Sequence, residues 1–408
     1  MKKAVVLSGG GAKGAYEIGV WKALRKIGYK YDIVTGTSVG ALNGAFMVMN
    51  DYKNAVSLWE NISTKDIFDE QFSHEVDTIE DKKDILLHYV KKATQGGFSV
   101  QALEKNIERL LDTSIFFDSP INYGLVTFNL STLKPMELEK KDLTKENLKD
   151  YLVASATCFP AFQIKEIDKE QFIDGGYYDN LPINFAVKLG AKEIVAVDLD
   201  AIGIHRKVKD KNVKITYIKP RNNIGSFLIF NKKYAKRSIQ YGFNDAMKTF
   251  GKYTGNKYTF KKTIFINNYK KYTKKFTEKL LEITEKKDTF LFEQLYNIFR
   301  GSQIEKNNYD EAIDSIEEIA HIFELDDVEI YSFSKFNSIL IQKINAVKKI
   351  DKEKIDKMIE QEWKQIFDKK MMIKYIYDKI KNKEYDNLKK IALLFPKEFV
   401  AAIYLSIL

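Results

Sequence analysis

Residues Asp32–Phe46 read DIVTGTSVGALNGAF, and this stretch decides the fold. Its first part is a short apolar run with β-branched residues, and its second part has helical spacing. The pattern predicts a strand, a sharp turn and a helix. The turn is Gly36-Thr37-Ser38-Val39-Gly40. A Gly-x-Ser-x-Gly at a strand–helix junction is the setting a nucleophile elbow needs. The serine occupies a strained backbone conformation, and side chains two residues to either side would collide with the adjoining helix. An ordinary glycine-rich turn with a spectator serine is the plain alternative.

Upstream, Ala4–Leu24 reads AVVLSGGGAKGAYEIGVWKAL, an apolar run that ends in glycines and then turns helical. Gly9-Gly10-Gly11-Ala12-Lys13-Gly14 matches Gly-x-Gly-x-x-Gly, so the turn could hold a phosphate, a dinucleotide or the oxygen of a reacting ester. A dinucleotide site wants an acid at the end of the next strand, whereas Asp32 stands at the start of its apolar run. A phosphate loop wants Gly-Lys-Ser/Thr, and none is present after the turn. A tight strand-to-helix turn with no ligand remains the plain reading.

A serine nucleophile needs a base. The chain has four histidines, His74, His88, His205 and His321, and none sits at a strand end or beside a glycine turn. His205 is the best placed of them. Asp174, in QFIDGGYYDNLP, is the better candidate: it ends an apolar run and is followed by Gly175 and Gly176, which leave its carboxylate unobstructed. A free carboxylate is a poor base near neutrality, but burial raises its pKa. A turn-forming Asp-Gly is the competing reading.

Together, GGGAKG at 9–14, GTSVG at 36–40 and DGG at 174–176 resemble the patatin-like phospholipase family. ASATCFPAFQI at 154–164 and YDNLPINFAVKLGAKEIVAVDL at 178–199 resemble the family's continuation. The resemblance spans roughly residues 1–250. It implies a three-layer α/β fold with a mainly parallel sheet. It also implies a lipid acyl hydrolase, a serine carboxylic-ester hydrolase, with Ser38 as nucleophile and Asp174 as base. The amides of the 9–14 turn, Gly10 and Gly11 above all, would be the oxyanion hole. Lys13 would orient the loop, attract a phosphoryl head group or simply be solvated. No cofactor or metal is implied. A non-catalytic lipid-binding protein on the same fold is the alternative.

The rest of the chain sets the context. A single cysteine, Cys158, excludes an internal disulfide, and no Cys/His spacing suggests a metal site. Short β-rich runs alternate with helical segments up to about residue 250, which argues for an α/β domain over 1–252. FGKYTGNKYTF after it reads as a linker or loop. From Tyr269 on, apolar residues spaced by three or four (Tyr272, Phe276, Leu280, Ile283; then Tyr309, Ile313, Ile316, Ala320, Phe323) predict a mostly helical region over 253–408. Segments near 336–360 and 363–381 share the pattern.

Residues 1–204 carry 24 basic and 29 acidic side chains, and residues 205–408 carry 42 and 27. Within 205–279 there are 21 basic against three acidic. That stretch is read either as a solvated face or as a contact with an anionic membrane. No nucleic-acid signature accompanies it. The basic start has only a short apolar run behind it, and no run is long enough to span a bilayer. The expectation is a cytoplasmic protein, peripheral on the membrane.

Overall fold

The computed structural model describes residues 1–68, 79–284, 289–300, 313–348 and 368–408. The chain divides into two units, Met1–Thr249 and Phe250–Leu408. His74, Tyr309, residues 349–360 and residues 363–367 lie outside the described residues, as does the side chain of Tyr269.

The first unit starts with β1 (Lys2–Leu7), α1 (Ala15–Lys26), β2 (Ile33–Thr37) and α2 (Val39–Met49). Helices α3 (Tyr52–Asn61), α4 (Thr64–Ile67), α5 (Ile79–Thr94), α6 (Gln101–Leu110) and α7 (Thr113–Asp118) lead to β3 (Asn122–Asn129). Then come β4 (Lys134–Glu139), α8 (Leu148–Ala156), β5 (Lys165–Ile167), β6 (Glu170–Asp174), α9 (Ile183–Lys188), β7 (Ala191–Val197), β8 (Lys214–Ile218) and α10 (Lys232–Thr249).

The sheet order is β5-β6-β3-β2-β1-β7-β8, with β4 also paired to β3. Strands β3, β2, β1, β7 and β8 are parallel, β4 and β6 run antiparallel to β3, and β5 runs antiparallel to β6. This is the α/β architecture with a mainly parallel sheet that the sequence predicts. All of Ala4–Leu7 and Ile33–Thr37 is buried, as helices covering both faces of a central parallel strand require. Strands β4 and β5 escape the sequence reading because they carry Lys and Glu and stay partly exposed, the usual dress of peripheral strands.

One detail of the register brings two distant strand ends together. Strand β4 occupies one edge of β3 along Gly124–Asn129. The other edge is shared: β2 pairs with Asn122–Val126, and β6 comes from the opposite direction to pair with Thr127–Asn129. The C-terminal ends of β2 and β6 therefore meet head to head.

The second unit holds β9 (Tyr253–Thr254), β10 (Thr259–Lys261), α11 (Lys262–Ile283), α12 (Thr289–Arg300), α13 (Ile313–Ile322), β11 (Ile330–Tyr331) and α14 (Phe333–Ala346). It ends with α15 (Lys369–Lys381), α16 (Leu388–Leu394) and α17 (Pro396–Ser406). The helical spacing is realised: Phe276 and Leu280, Ile316 and Ala320, and Phe399–Leu405 all enter one core. The expected linker at 250–260 is instead a pair of strands in a three-stranded sheet of order β11-β10-β9. Two causes override its loop-like composition. Tyr258 and Phe260 are buried in the core, and the buried Glu317 carboxylate accepts the Asn256 and Lys257 amides at 2.7 and 2.8 Å. Among the described residues no helix is long and apolar enough to cross a membrane.

Candidate active site

Thr37 pairs with Val126 and Asp174 pairs with Thr127, so the two strand ends occupy neighbouring rungs of β3. Ser38 comes directly after Thr37. A long loop in sequence is thereby closed to contact distance by a single shared strand.

Ser38 has φ 56° and ψ −128°, a left-handed conformation that a non-glycine residue holds only when its surroundings enforce it. Its N–H donates to Ser155 Oγ at 2.9 Å, and the Ser155 hydroxyl donates to the Val126 carbonyl at 2.7 Å. The elbow is thus bolted to β3 through a side chain of α8. A Cβ on Gly36 would strike the Gly40 carbonyl at the start of α2, the helix collision that the motif predicts. On Gly40 it would instead meet the carbonyls of Leu7 and Ser8, at 2.6 and 2.7 Å. The second glycine therefore keeps clear of the end of β1, not of a helix.

Asp174 ends β6 with its side chain buried. Its N–H donates to the Thr157 carbonyl at 2.9 Å, and its Oδ1 accepts the Gly176 amide at 2.7 Å. Gly175 is packed so closely on Val126 that a Cβ there would strike the Val126 carbonyl. Burial pushes the Asp174 carboxyl up to about 6, while the neighbouring Ser38 hydroxyl and the Gly176 amide that donates to its Oδ1 pull it back. A group charged at neutrality yet holding a pKa near 6 suits general-base work.

Ser38, Asp174 and the glycines Gly9, Gly10 and Gly11 line one cavity. The Gly9 amide donates to the Asn180 carbonyl at 3.1 Å, the Ala12 amide to Phe227 at 2.8 Å, and the Lys13 amide to Gly10 at 3.1 Å. Gly14 is buried against Val39 and Trp59. Of the turn residues on the cavity, Gly10 and Gly11 have amides bonded to no acceptor among the described residues. The Lys13 ammonium donates to the carbonyls of Leu199 and Asp200, at 3.3 and 2.8 Å. These two bonds tie the glycine turn to the loop after β7.

Ser38 also stands at the head of a second cavity, lined by apolar side chains that include Leu42, Phe46, Met49, Leu103 and Ile107. The histidines are elsewhere: none of His88, His205 and His321 lines either cavity, and the exposed His205 lies 3.9 Å from Asp198. Asp32 accepts the Lys3 amide at 2.8 Å at the entrance of β2, far from a ribose-binding position. Among the described residues no cluster of His, Cys, Asp and Glu could hold a metal ion.

Two residues escaped sequence reasoning. Ser155 carries its signal only as one small residue among several in ASATC. Asn180 acts mainly through its backbone, and composition is silent on that. It brackets Gly9 with two hydrogen bonds and donates its N–H to the Ile204 carbonyl at 2.7 Å.

The same segment is matched by known proteins. A family model described as patatin-like phospholipase matches residues 5–187. This segment belongs to that family. Its span contains the glycine turn, the elbow and Asp174. The patatin-like segment is 29% identical over 200 residues to human patatin-like phospholipase domain-containing protein 6, covering 48% of this chain and 13% of that protein. It is also 29% identical over 196 residues to lysophospholipase NTE1 of Scheffersomyces stipitis, covering 48% and 11%. The chain thus spans a small fraction of these relatives. Among solved structures, VipD from Legionella pneumophila aligns over 100% of this chain and 90% of its own, with 14% identity and a TM-score of 0.38.

Proposed function

We propose that the patatin-like unit is a lipid acyl hydrolase that cleaves carboxylic esters through Ser38 and Asp174. The observation that carries this reading is that the strained Ser38 and the buried Asp174 stand at strand ends on neighbouring rungs of β3 and line one cavity with Gly10 and Gly11. Family membership of residues 5–187 and the names of the relatives support it from outside the geometry.

Asp174 takes the proton from Ser38 Oγ as that oxygen bonds to the ester carbonyl carbon. The carbonyl oxygen becomes negative where the Gly10 and Gly11 amides can donate to it, each donor being worth about 3 kcal/mol. The C–O bond to the alcohol or lysolipid then breaks, and that leaving oxygen takes the proton back from Asp174. Water attacks the acyl-Ser38 ester, gives a proton to Asp174, and the freed acid leaves as Ser38 regains its hydrogen. The acyl chain fits the apolar cavity behind Ser38, whose walls are almost all aliphatic or aromatic. A scaffold that only binds lipid would have no use for a strained serine facing a raised carboxyl.

The test is covalent. A fluorophosphonate probe should label the parent protein and leave Ser38→Ala unlabelled, with mass spectrometry placing the adduct on Ser38. If the parent is not labelled, or both proteins are, the reading is wrong.

A further inference from the structure

The loop after β7 bounds one side of the Ser38 cavity and turns its apolar side chains outward. Ile202 is 90% exposed, Ile204 52%, and Tyr177 on the same cavity 44%. A single exposed isoleucine is ordinary on a surface, but three large apolar side chains around one opening are not.

Nor is the loop free to fold them back. The Ile204 N–H donates to the Gly176 carbonyl at 2.9 Å, and the Ile204 carbonyl accepts the Asn180 N–H at 2.7 Å. The Arg206 guanidinium lies 4.3 Å from the Tyr178 ring centre. At the other end, Lys13 holds the Leu199 and Asp200 carbonyls. The isoleucines are therefore pinned away from the unit's own core.

The next residues along the chain are cationic. His205, Arg206, Lys207, Lys209 and Lys211 are all exposed, with Asp210 the one acid in that stretch. An outward apolar tip with cations behind it matches the layered chemistry of an anionic bilayer: hydrocarbon below, negative head groups above. A protein partner would be served by the apolar tip alone, so the adjoining cations favour lipid.

We propose that residues 201–207 form a bilayer contact. Ile202 and Ile204 enter the acyl boundary, and Arg206 and Lys207 lie among anionic head groups. The cavity that holds Ser38 then opens onto the membrane, and an ester lipid reaches it without crossing water. Its purpose rests on the hydrolase reading, but its test does not.

The experiment uses full-length Ser38→Ala protein, so that no lipid is consumed, and sedimentation with two vesicles. One is phosphatidylcholine alone, and the other is equal parts phosphatidylcholine and phosphatidylglycerol. The expected result is preferential, salt-sensitive binding to the anionic vesicle. Adding Ile202→Asn should weaken it about tenfold or more, from the loss of one buried aliphatic side chain. Arg206→Gln with Lys207→Gln should remove most of the anionic preference. Ile202→Trp should show a blue-shifted emission on binding, and circular dichroism checks that each variant is folded.

Any of three results overturns the proposal: no binding to either vesicle, unchanged binding by Ile202→Asn, or binding without an emission shift in Ile202→Trp. Probe labelling of Ser38 answers separately, so a failure of the hydrolase reading and a failure of the contact are told apart.

Discussion

The two units bury polar groups to different ends. In the first, Ser38 and Asp174 sit at strand ends facing a cavity, with the serine backbone strained and the acid pushed towards neutrality. In the second, buried polar groups tie chain to chain. Glu317 receives two amides of the β9–β10 turn, Asn337 accepts the Tyr404 hydroxyl at 3.0 Å, and Lys374 meets Asp378 at 2.7 Å. A buried charge saturated by partners stabilises a fold, and one left facing a cavity with a shifted pKa is a candidate for chemistry. The contrast can be broken by experiment.

The largest effect is expected at Asp174. Asp174→Asn should lower turnover of a soluble ester by roughly 10³-fold or more, because the proton acceptor is gone. The fold should respond in the opposite direction. The native carboxyl has a pKa of about 6 against a normal 3.8, so the folded state binds its proton more tightly than the unfolded one. Stability therefore falls as pH rises from about 4 to about 6. Above that, the full cost of about 3 kcal/mol remains in force. Asparagine carries no such cost, so the variant should melt higher than the parent at pH 7 and lose that advantage near pH 4. In the parent, turnover should fall with acid below about pH 6, as the base protonates. An Asn variant that turns over normally would make Asp174 a structural acid like Glu317, and the contrast would vanish.

The second unit should answer to packing. Phe276 and Phe299 are fully buried and stacked, with ring centres 3.8 Å apart and planes 7° from parallel. Phe276→Ala should cost about 3–5 kcal/mol. Hydrogen exchange should show protection lost in α11 and α12 well beyond any loss in β1 and β2. Equal loss in both units would mean that they melt as one, and the comparison between them would need restating.

How far each feature could be read in the sequence tracks the same divide. Strands β1, β2, β3 and β7 announce themselves because burial on both faces demands apolar runs, and the half-buried β6 and the edge strand β8 through their short runs of β-branched and aromatic residues. The hairpin at 253–261 does not, since its glycines, lysines and threonines suit a loop until Tyr258 and Phe260 find their core. In the site, Ser38 and its flanking glycines are legible because strain and lack of space restrict the residue types. Asp174 is legible through Gly175 and Gly176. The meeting of β2 and β6 on β3 is a fact of register, and no local pattern encodes it. Asn180 works mainly through backbone bonds, to which composition is blind.

The smallest expected effect concerns the residue that joins these two levels. Ser155 accepts the Ser38 amide and donates to the Val126 carbonyl, so one hydroxyl connects the strained elbow to the strand on which Asp174 is registered. Ser155→Ala leaves both main-chain groups buried without that partner, a penalty of about 1–3 kcal/mol. Some of it should appear as a lower melting temperature. The rest should appear as a loss of about tenfold in kcat with little change in KM, because the elbow shifts relative to the carboxyl while the apolar cavity is untouched. The acid limb of the pH profile should stay near 6, since Asp174 keeps its own surroundings. A variant that loses stability but keeps its full kcat would show that Gly36, Gly40 and α2 hold the serine by themselves. The strain at Ser38 would then be local to its turn, with no help from β3.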